Sequence, residues 1–142
     1  MTVHRINFRV YYEDTDAGGI VYYANYLKFA ERARTEWLRE PGYLGPTFAR
    51  DLGLAFVVRR VEADYRKPAR LDSLLQVASS LETLQRTSLI LEQNMLDAEA
   101  PSTLFCRLKV QLVCIAVNNL KPTAIPASIA AKLADFQRAH GK

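Results

Sequence analysis

The sequence predicts an α+β domain in which a curved, five-stranded antiparallel sheet wraps around one long helix. Three patterns carry that expectation. An alternating apolar segment opens the chain, an amphipathic helix follows, and four further alternating segments fill most of the remainder. One helix leaves edges or a face of such a sheet uncovered, so a second copy of the chain is expected to close one of them.

In the first strand Ile6, Phe8, Val10 and Tyr12 alternate with Arg5, Asn7, Arg9 and Tyr11, the period of a half-buried strand. A loop then leads to a helix from Tyr22 to Glu40, whose apolar stripe is Tyr26, Phe29, Ala30, Ala33 and Trp37. Arg32 and Glu36 have the spacing of a solvated ion pair on another face. Pro41-Gly42 stops the helix, and a short helical turn is expected over Thr47 to Leu52. The second strand, Leu54 to Tyr65, sets Val57, Val61, Ala63 and Tyr65 against Arg60, Glu62 and Asp64. Pro68 and Leu71-Asp72-Ser73 turn the chain into a third strand, Leu75 to Leu84. Arg86-Thr87 makes a tight connection to the fourth, Ser88 to Leu96, and Asp97 to Ser102 is the next turn. In the last strand Leu104, Cys106, Leu108, Val110, Leu112, Cys114 and Ala116 face one way, with Arg107, Lys109 and Gln111 opposite. So long an apolar face predicts a central strand. Asn118-Asn119 and Pro122 end it. A C-terminal helix over Pro126 to Arg138 carries Ile129, Leu133 and Phe136 as its stripe.

At 142 residues, 49% hydrophobic and 24% charged, the chain reads as a single domain spanning 1–142 and not as a disordered one. Its first residues carry no apolar signal-peptide core, and the apolar run Leu112 to Val117 is too short to span a bilayer. A cytoplasmic protein is the expectation. Cys106 and Cys114 fall on one strand roughly 26 Å apart, beyond disulfide reach, and read as buried thiols. The net charge is +4. Arg59, Arg60, Arg66, Lys67 and Arg70 form the densest basic stretch, either a solvated strand end or a landing site for substrate phosphates. No nucleic-acid-binding motif accompanies it, so nucleic acid is not an expected partner.

The chemistry concentrates between Tyr12 and Arg34. Asp16 lies between strand and helix, followed at once by Gly18 and Gly19. Glycines allow a tight turn and a close approach to the backbone. The helix directs its first N–H groups and the positive end of its dipole back toward the loop. A carboxylate beside such a corner offers a nucleophile or base next to a site that stabilises an oxyanion. On spacing alone, Asp16 reads first as a turn or capping carboxylate, and Asp14 is assigned that structural role. Asp14 and Asp16 lack further carboxylates at ligand spacing, so no metal is expected. Gly18-Gly19 is neither a phosphate-binding loop nor a dinucleotide fingerprint. His4 and His140 have no triad partners in recognisable context.

The run Arg9, Val10, Thr15, Asp16, Gly19, Ile20, Val21, Tyr22, Asn25, Tyr26 and Phe29, then Glu31, Ala33 and Arg34, resembles the hotdog-fold acyl-CoA thioesterases of the 4-hydroxybenzoyl-CoA thioesterase type. It is most similar to their Tol–Pal-associated, YbgC-like branch. One position departs from that branch, which commonly carries His where this chain has Tyr23; the 4-hydroxybenzoyl type carries an aromatic there. The resemblance implies a cytoplasmic homodimer or homotetramer with its active site between subunits. It implies hydrolysis of a short-chain or aromatic acyl-CoA by the Asp16 carboxylate, the oxyanion held by the backbone N–H of Tyr23 and the thioester approaching over Gly19. No cofactor is implied beyond the coenzyme A of the substrate, and an acyl-carrier protein is an alternative carrier of the acyl group. Arg86, Lys67 and Arg70 are the candidates for the CoA phosphates. The rival expectation is a non-catalytic hotdog module that binds acyl groups or proteins of the envelope or lipid-synthesis machinery. An intact Asp16 and glycine turn favour the enzyme.

Overall fold

The computed structural model describes residues 3–39 and 50–141, with side chains to residue 137. Pro41-Gly42, residues 47–49 of the expected helical turn and the His140 side chain lie outside them; residues 50–52 are helical. The strands are β1 (His4–Arg9), β2 (Leu54–Tyr65), β3 (Leu74–Leu84), β4 (Ser88–Asp97) and β5 (Ala100–Ala116). Besides the turn at 50–52, the described residues include two long helices, α1 (Asn25–Arg39) and α2 (Ala127–Gly141). All neighbouring strands are antiparallel, in the order β1-β3-β4-β5-β2.

Four expectations change. β1 ends at Arg9, and Tyr12 belongs to a 3-10 turn (Tyr12–Asp14) where it is 82% exposed. The alternation that extended to Tyr12 continued past the last ladder bond. β5 is an interior strand, as its apolar face implied, with β4 on one side and β2 as the edge on the other. The expectation that changes here is the apolar face of β2, which is exposed from Val57 to Tyr65. The turn placed at Asp97 to Ser102 contains only Ala98 and Glu99, since Asp97 pairs with Ala100. Pro101 enters the strand where the register shifts, a place where no ladder donor is needed. Glu36 pairs with Arg39 at 3.2 Å, while Arg32 lies over the Phe29 ring.

The sheet's inner face is apolar: Leu75, Val77 and Leu81 of β3, Leu89, Leu91 and Met95 of β4, and Cys106, Leu108, Val110 and Cys114 of β5 are buried. α1 covers it with Tyr26, Phe29, Ala30, Ala33 and Trp37, and Phe29 meets Phe8 of β1 at 5.8 Å between ring centroids. α2 packs on β3 and closes the far end of α1 through Phe136 on Trp37, at 5.2 Å. The opposite face carries exposed pairs such as Lys109–Glu82 (3.1 Å) and Arg107–Glu92 (3.4 Å), which add little stability in water.

One polar network interrupts the inner face. Gln93 of β4 is fully buried, opposite Ser79 of β3. Its Nε2 donates to the Ser79 Oγ and to the Ala30 carbonyl of α1, each at 3.0 Å, and its Oε1 accepts from Arg34 Nη1 at 3.1 Å. Burial pushes the Arg34 guanidinium below the ordinary arginine range, while the nearby Glu31 charge acts against that shift. Gln93→Leu leaves the half-buried guanidinium without its acceptor and should cost about 1–3 kcal/mol in denaturant unfolding. Adding Arg34→Met removes the stranded charge and should recover at least half of the loss.

Candidate active site

The loop between β1 and α1 is a small hairpin. Thr15 and Val21 pair across it, Asp16 N–H donates to the Ile20 carbonyl at 2.9 Å, and Gly19 N–H to the Asp16 carbonyl at 3.0 Å. The segment after β2 adds a third strand: Val21 N–H reaches the Ala69 carbonyl at 2.8 Å, and Arg70 pairs with Ile20. Asp14 joins the hairpin to the helix. Its carbonyl accepts from Tyr22 N–H at 3.0 Å and from Asn25 Nδ2 at 2.9 Å. Its buried carboxylate accepts from Tyr11 N–H at 2.9 Å. Asp14 therefore holds the loop together.

The Asp16 side chain is exposed at the hairpin tip, and its Oδ1 accepts from Gly18 N–H at 2.8 Å, so the carboxylate has a fixed direction. Both glycine amides thus serve Asp16. At the helix entrance the Tyr23 N–H donates to no group among the described residues, and neither does that of Ala24 beside it. Tyr23 lies in the turn just before α1, which begins at Asn25, three residues later than the Tyr22 start expected from the sequence. Its position still sets the amide at the positive end of the helix dipole. A cleft of about 230 Å³ opens beside it, lined by Ile20, Tyr23, Tyr26, Tyr65, Arg66 and Lys67 among others.

The thioesterase-like superfamily model matches residues 10–133. The chain belongs to the thioesterase-like superfamily. It is a thioester hydrolase, with the hotdog fold. It is 43% identical over 131 residues to the acyl-CoA thioester hydrolase YbgC of Escherichia coli O6:H1, covering 92% of this chain and 96% of that one. The acyl-CoA thioesterase YbgC of Haemophilus influenzae is 39% identical over 123 residues, 87% of this chain and 88% of that one. A probable thioesterase from Bartonella henselae, 35% identical, superposes with a TM-score of 0.80 over 87% of this chain and 99% of that one.

Within this member of the family, the fold gathers Asp16, Gly19, Tyr23, Lys67 and Arg70 at one end of the sheet. Arg86 is not among them. It sits in the β3–β4 turn, where its carbonyl accepts from Ile125 N–H at 2.9 Å. The length of β3, roughly 33 Å at the usual rise, separates it from the hairpin of the same chain. Among the described residues, no group of three or more His, Cys, Asp or Glu gathers as metal ligands do, and no helix is long and apolar enough to cross a membrane. Cys106 and Cys114 are free and buried, and burial, reinforced by the Asp64 charge, pushes the Cys106 thiol up to about 12. Sequence reasoning missed Tyr65. It counted only as an apolar-face residue of β2, yet its hydroxyl donates to the Tyr23 carbonyl at 3.2 Å. No local pattern distinguishes a strand tyrosine with that partner from one without it.

The two glycines differ, and substitution should separate them. Gly19 has φ of +77° with open space where a Cβ would stand, so its need is conformational. Gly19→Ala should lower stability by about 1–2 kcal/mol, and Gly19→Asn by less. At Gly18 a Cβ would lie 3.2 Å from the Asp16 Oδ1. Gly18→Ala should leave the thermal midpoint nearly unchanged and reduce kcat, because the displaced group is the carboxylate itself.

Proposed function

We propose that this chain hydrolyses acyl-CoA thioesters to the free acid and CoA, in the cytoplasm, as a homodimer or homotetramer. One observation supports the reading above the others: a carboxylate oriented by a glycine hairpin and an unused helix-end amide occur on one short loop of a family thioesterase. The names of its YbgC relatives supply the acyl-CoA.

In this reading the thioester carbonyl oxygen accepts from the Tyr23 N–H, where the helix dipole favours developing negative charge. The Asp16 carboxylate then acts by one of two routes. It attacks the carbonyl carbon to give a mixed anhydride and CoA thiolate, and water cleaves the anhydride. Alternatively it takes a proton from a water that attacks directly. Either way the thiolate leaves without a strong general acid. No cofactor enters beyond the coenzyme A of the substrate, and an acyl-carrier protein presents the same thioester on the same pantetheine arm. The modest cleft walled by Tyr23, Tyr26 and Tyr65 suits a short-chain or aromatic acyl group.

Assembly follows from the sheet edge. β2 is a twelve-residue edge strand, and its Val57, Val58 and Val61 are 39%, 47% and 37% exposed. Long apolar edges invite another strand. Antiparallel pairing of β2 with β2 of a second copy brings the partner's Leu54 end level with Tyr65. In each subunit Thr87 accepts from Cys114 N–H, and Cys114 pairs with Phe56 near that Leu54 end. Arg86 of the partner subunit then approaches this site, joining Lys67 and Arg70 around the CoA phosphates.

Asp16→Asn tests the chemistry. The amide keeps the shape of the side chain and loses its charge, so kcat should fall about 10²–10⁴-fold with the circular-dichroism spectrum and thermal midpoint kept. Retention of most activity would rule out both routes.

Arg70→Ala and Arg86→Ala should raise KM for an acyl-CoA far more than for the acyl-pantetheine lacking the nucleotide. Mixed dimers test the crossing. One subunit carrying Asp16→Asn and the other Arg86→Ala regenerate one intact site if Arg86 acts across the interface. No recovery over either parent dimer removes Arg86 from the partner's site.

A further inference from the structure

Two peptide planes meet at Tyr23. The plane before it, which contains the Tyr23 N–H, is held by Asn25 N–H donating to the Tyr22 carbonyl at 2.8 Å. The plane after it is held by the Tyr65 hydroxyl on the Tyr23 carbonyl at 3.2 Å. No other hydrogen bond reaches that carbonyl among the described residues; the next helix-entry bond, from Leu27 N–H, goes to Ala24. The backbone of the turn is therefore fixed on one side by the helix itself and on the other by a side chain from the sheet edge.

The Tyr65 ring is held in turn. It meets Tyr23 edge to face at 6.0 Å and Tyr26 at 5.6 Å between centroids, and Tyr26 is anchored by accepting from Ala69 N–H at 3.1 Å. Aromatic packing of this kind leaves the hydroxyl little freedom before any substrate arrives. Burial pushes the Tyr65 hydroxyl above the ordinary tyrosine range, with nearby Cys106 and Tyr23 adding to the effect. It therefore stays a donor well above neutral pH.

We infer that Tyr65 is the positioning residue of the oxyanion turn: its hydroxyl, by holding the Tyr23 carbonyl, keeps the Tyr23 amide aimed into the cleft. This rests on the proposed reading in which that amide receives the thioester oxygen. Loss of the hydroxyl frees the Tyr23–Ala24 peptide to rotate and leaves the amide held from one side only. Small misplacements of a transition-state donor reduce turnover strongly while leaving ground-state binding nearly untouched.

The test is Tyr65→Phe, which keeps the ring and its packing and removes one oxygen. Wild type, Tyr65→Phe and Asp16→Asn are compared on butyryl-CoA and benzoyl-CoA, and amide hydrogen exchange is followed at Asn25 and Leu27, whose N–H groups donate to the Tyr22 and Ala24 carbonyls on either side of the turn. The expected result has three parts. Tyr65→Phe lowers kcat about tenfold on the CoA thioesters that wild type hydrolyses, keeps KM within about twofold, and exchanges faster at Asn25 and Leu27 with the core strands unchanged. Tyr65→Leu, which removes the ring too, should exchange at least as fast at those two amides. Unchanged kcat and exchange in Tyr65→Phe overturn the inference. So does a rise in KM with kcat retained, which makes the hydroxyl a substrate contact. Wild type inactive on both thioesters, or Asp16→Asn as active as wild type, counts against the proposed hydrolysis instead; the exchange measurement then still decides whether Tyr65 holds the turn.

Discussion

How closely α1 can lie on the sheet decides where everything at the site end of the molecule stands. Ala30 and Ala33 face the strands at zero exposure, and their short side chains let the helix backbone approach. Apolar burial is non-directional, so by itself it leaves the helix free to slide or rotate by a fraction of a turn. The Gln93 amide removes that freedom. It donates to the Ala30 carbonyl from a strand position already locked opposite Ser79. A directional bond in a dry interface is expensive to misplace. The rest of the α1 contact then carries the registration to the N-terminus.

That registration matters because the loop has few other anchors. Between Val10 and Asn25 the chain is tied down by ladder bonds within its own hairpin, by the strap at Ala69 to Leu71, and by the double acceptance at the Asp14 carbonyl. Asn25, the first residue of α1, donates its side chain to that same carbonyl. A shift of α1 along the sheet therefore drags the hairpin, and with it both the Asp16 carboxylate and the Tyr23 amide. The two groups belong to one rigid unit whose position is set well away from it, at Gln93.

Much of this was legible in the chain. The helix stripe from Tyr26 to Trp37 and the alternation of β5 follow from burial on one face, and burial is what periodicity records; the apolar face read for β2 at Val57, Val61 and Tyr65 is instead exposed in the single chain. The hairpin carboxylate and its glycines were legible because the turn chemistry is local. What escaped depends on contacts between distant segments. Gln93 shares the face of Leu89, Leu91 and Met95 by alternation, and only the fold shows that it meets Ala30, Ser79 and Arg34 there. Tyr65 and Tyr23 are 42 residues apart, and neither strand nor loop pattern announces their bond. Arg86 was matched to a phosphate by type, and the sequence could not tell that the topology sets it at the opposite end of the sheet from Asp16 of its own chain. The strand order was also beyond reach, since an apolar face marks β5 as interior without saying which strands flank it.

The single chain presents its carboxylate and its free amide on an open surface, and electrostatic stabilisation of a transition state weakens where water enters freely. Something has to cover this end. The outer face of the sheet is charged and self-paired: Arg60 with Glu62, Arg107 with Glu92 and Lys109 with Glu82, all in solvent. The β2 edge is different, with three exposed valines and an unoccupied row of ladder groups. In the proposed dimer that edge becomes an interior strand, and Tyr65, already paired with Cys106 of β5, gains a strand on its other side. The same strand would then join the subunits and hold the Tyr23 carbonyl. Subunit association and the geometry of the oxyanion turn meet in one residue, which gives a physical reason for a hotdog thioesterase to be active as an assembly and not as a lone domain.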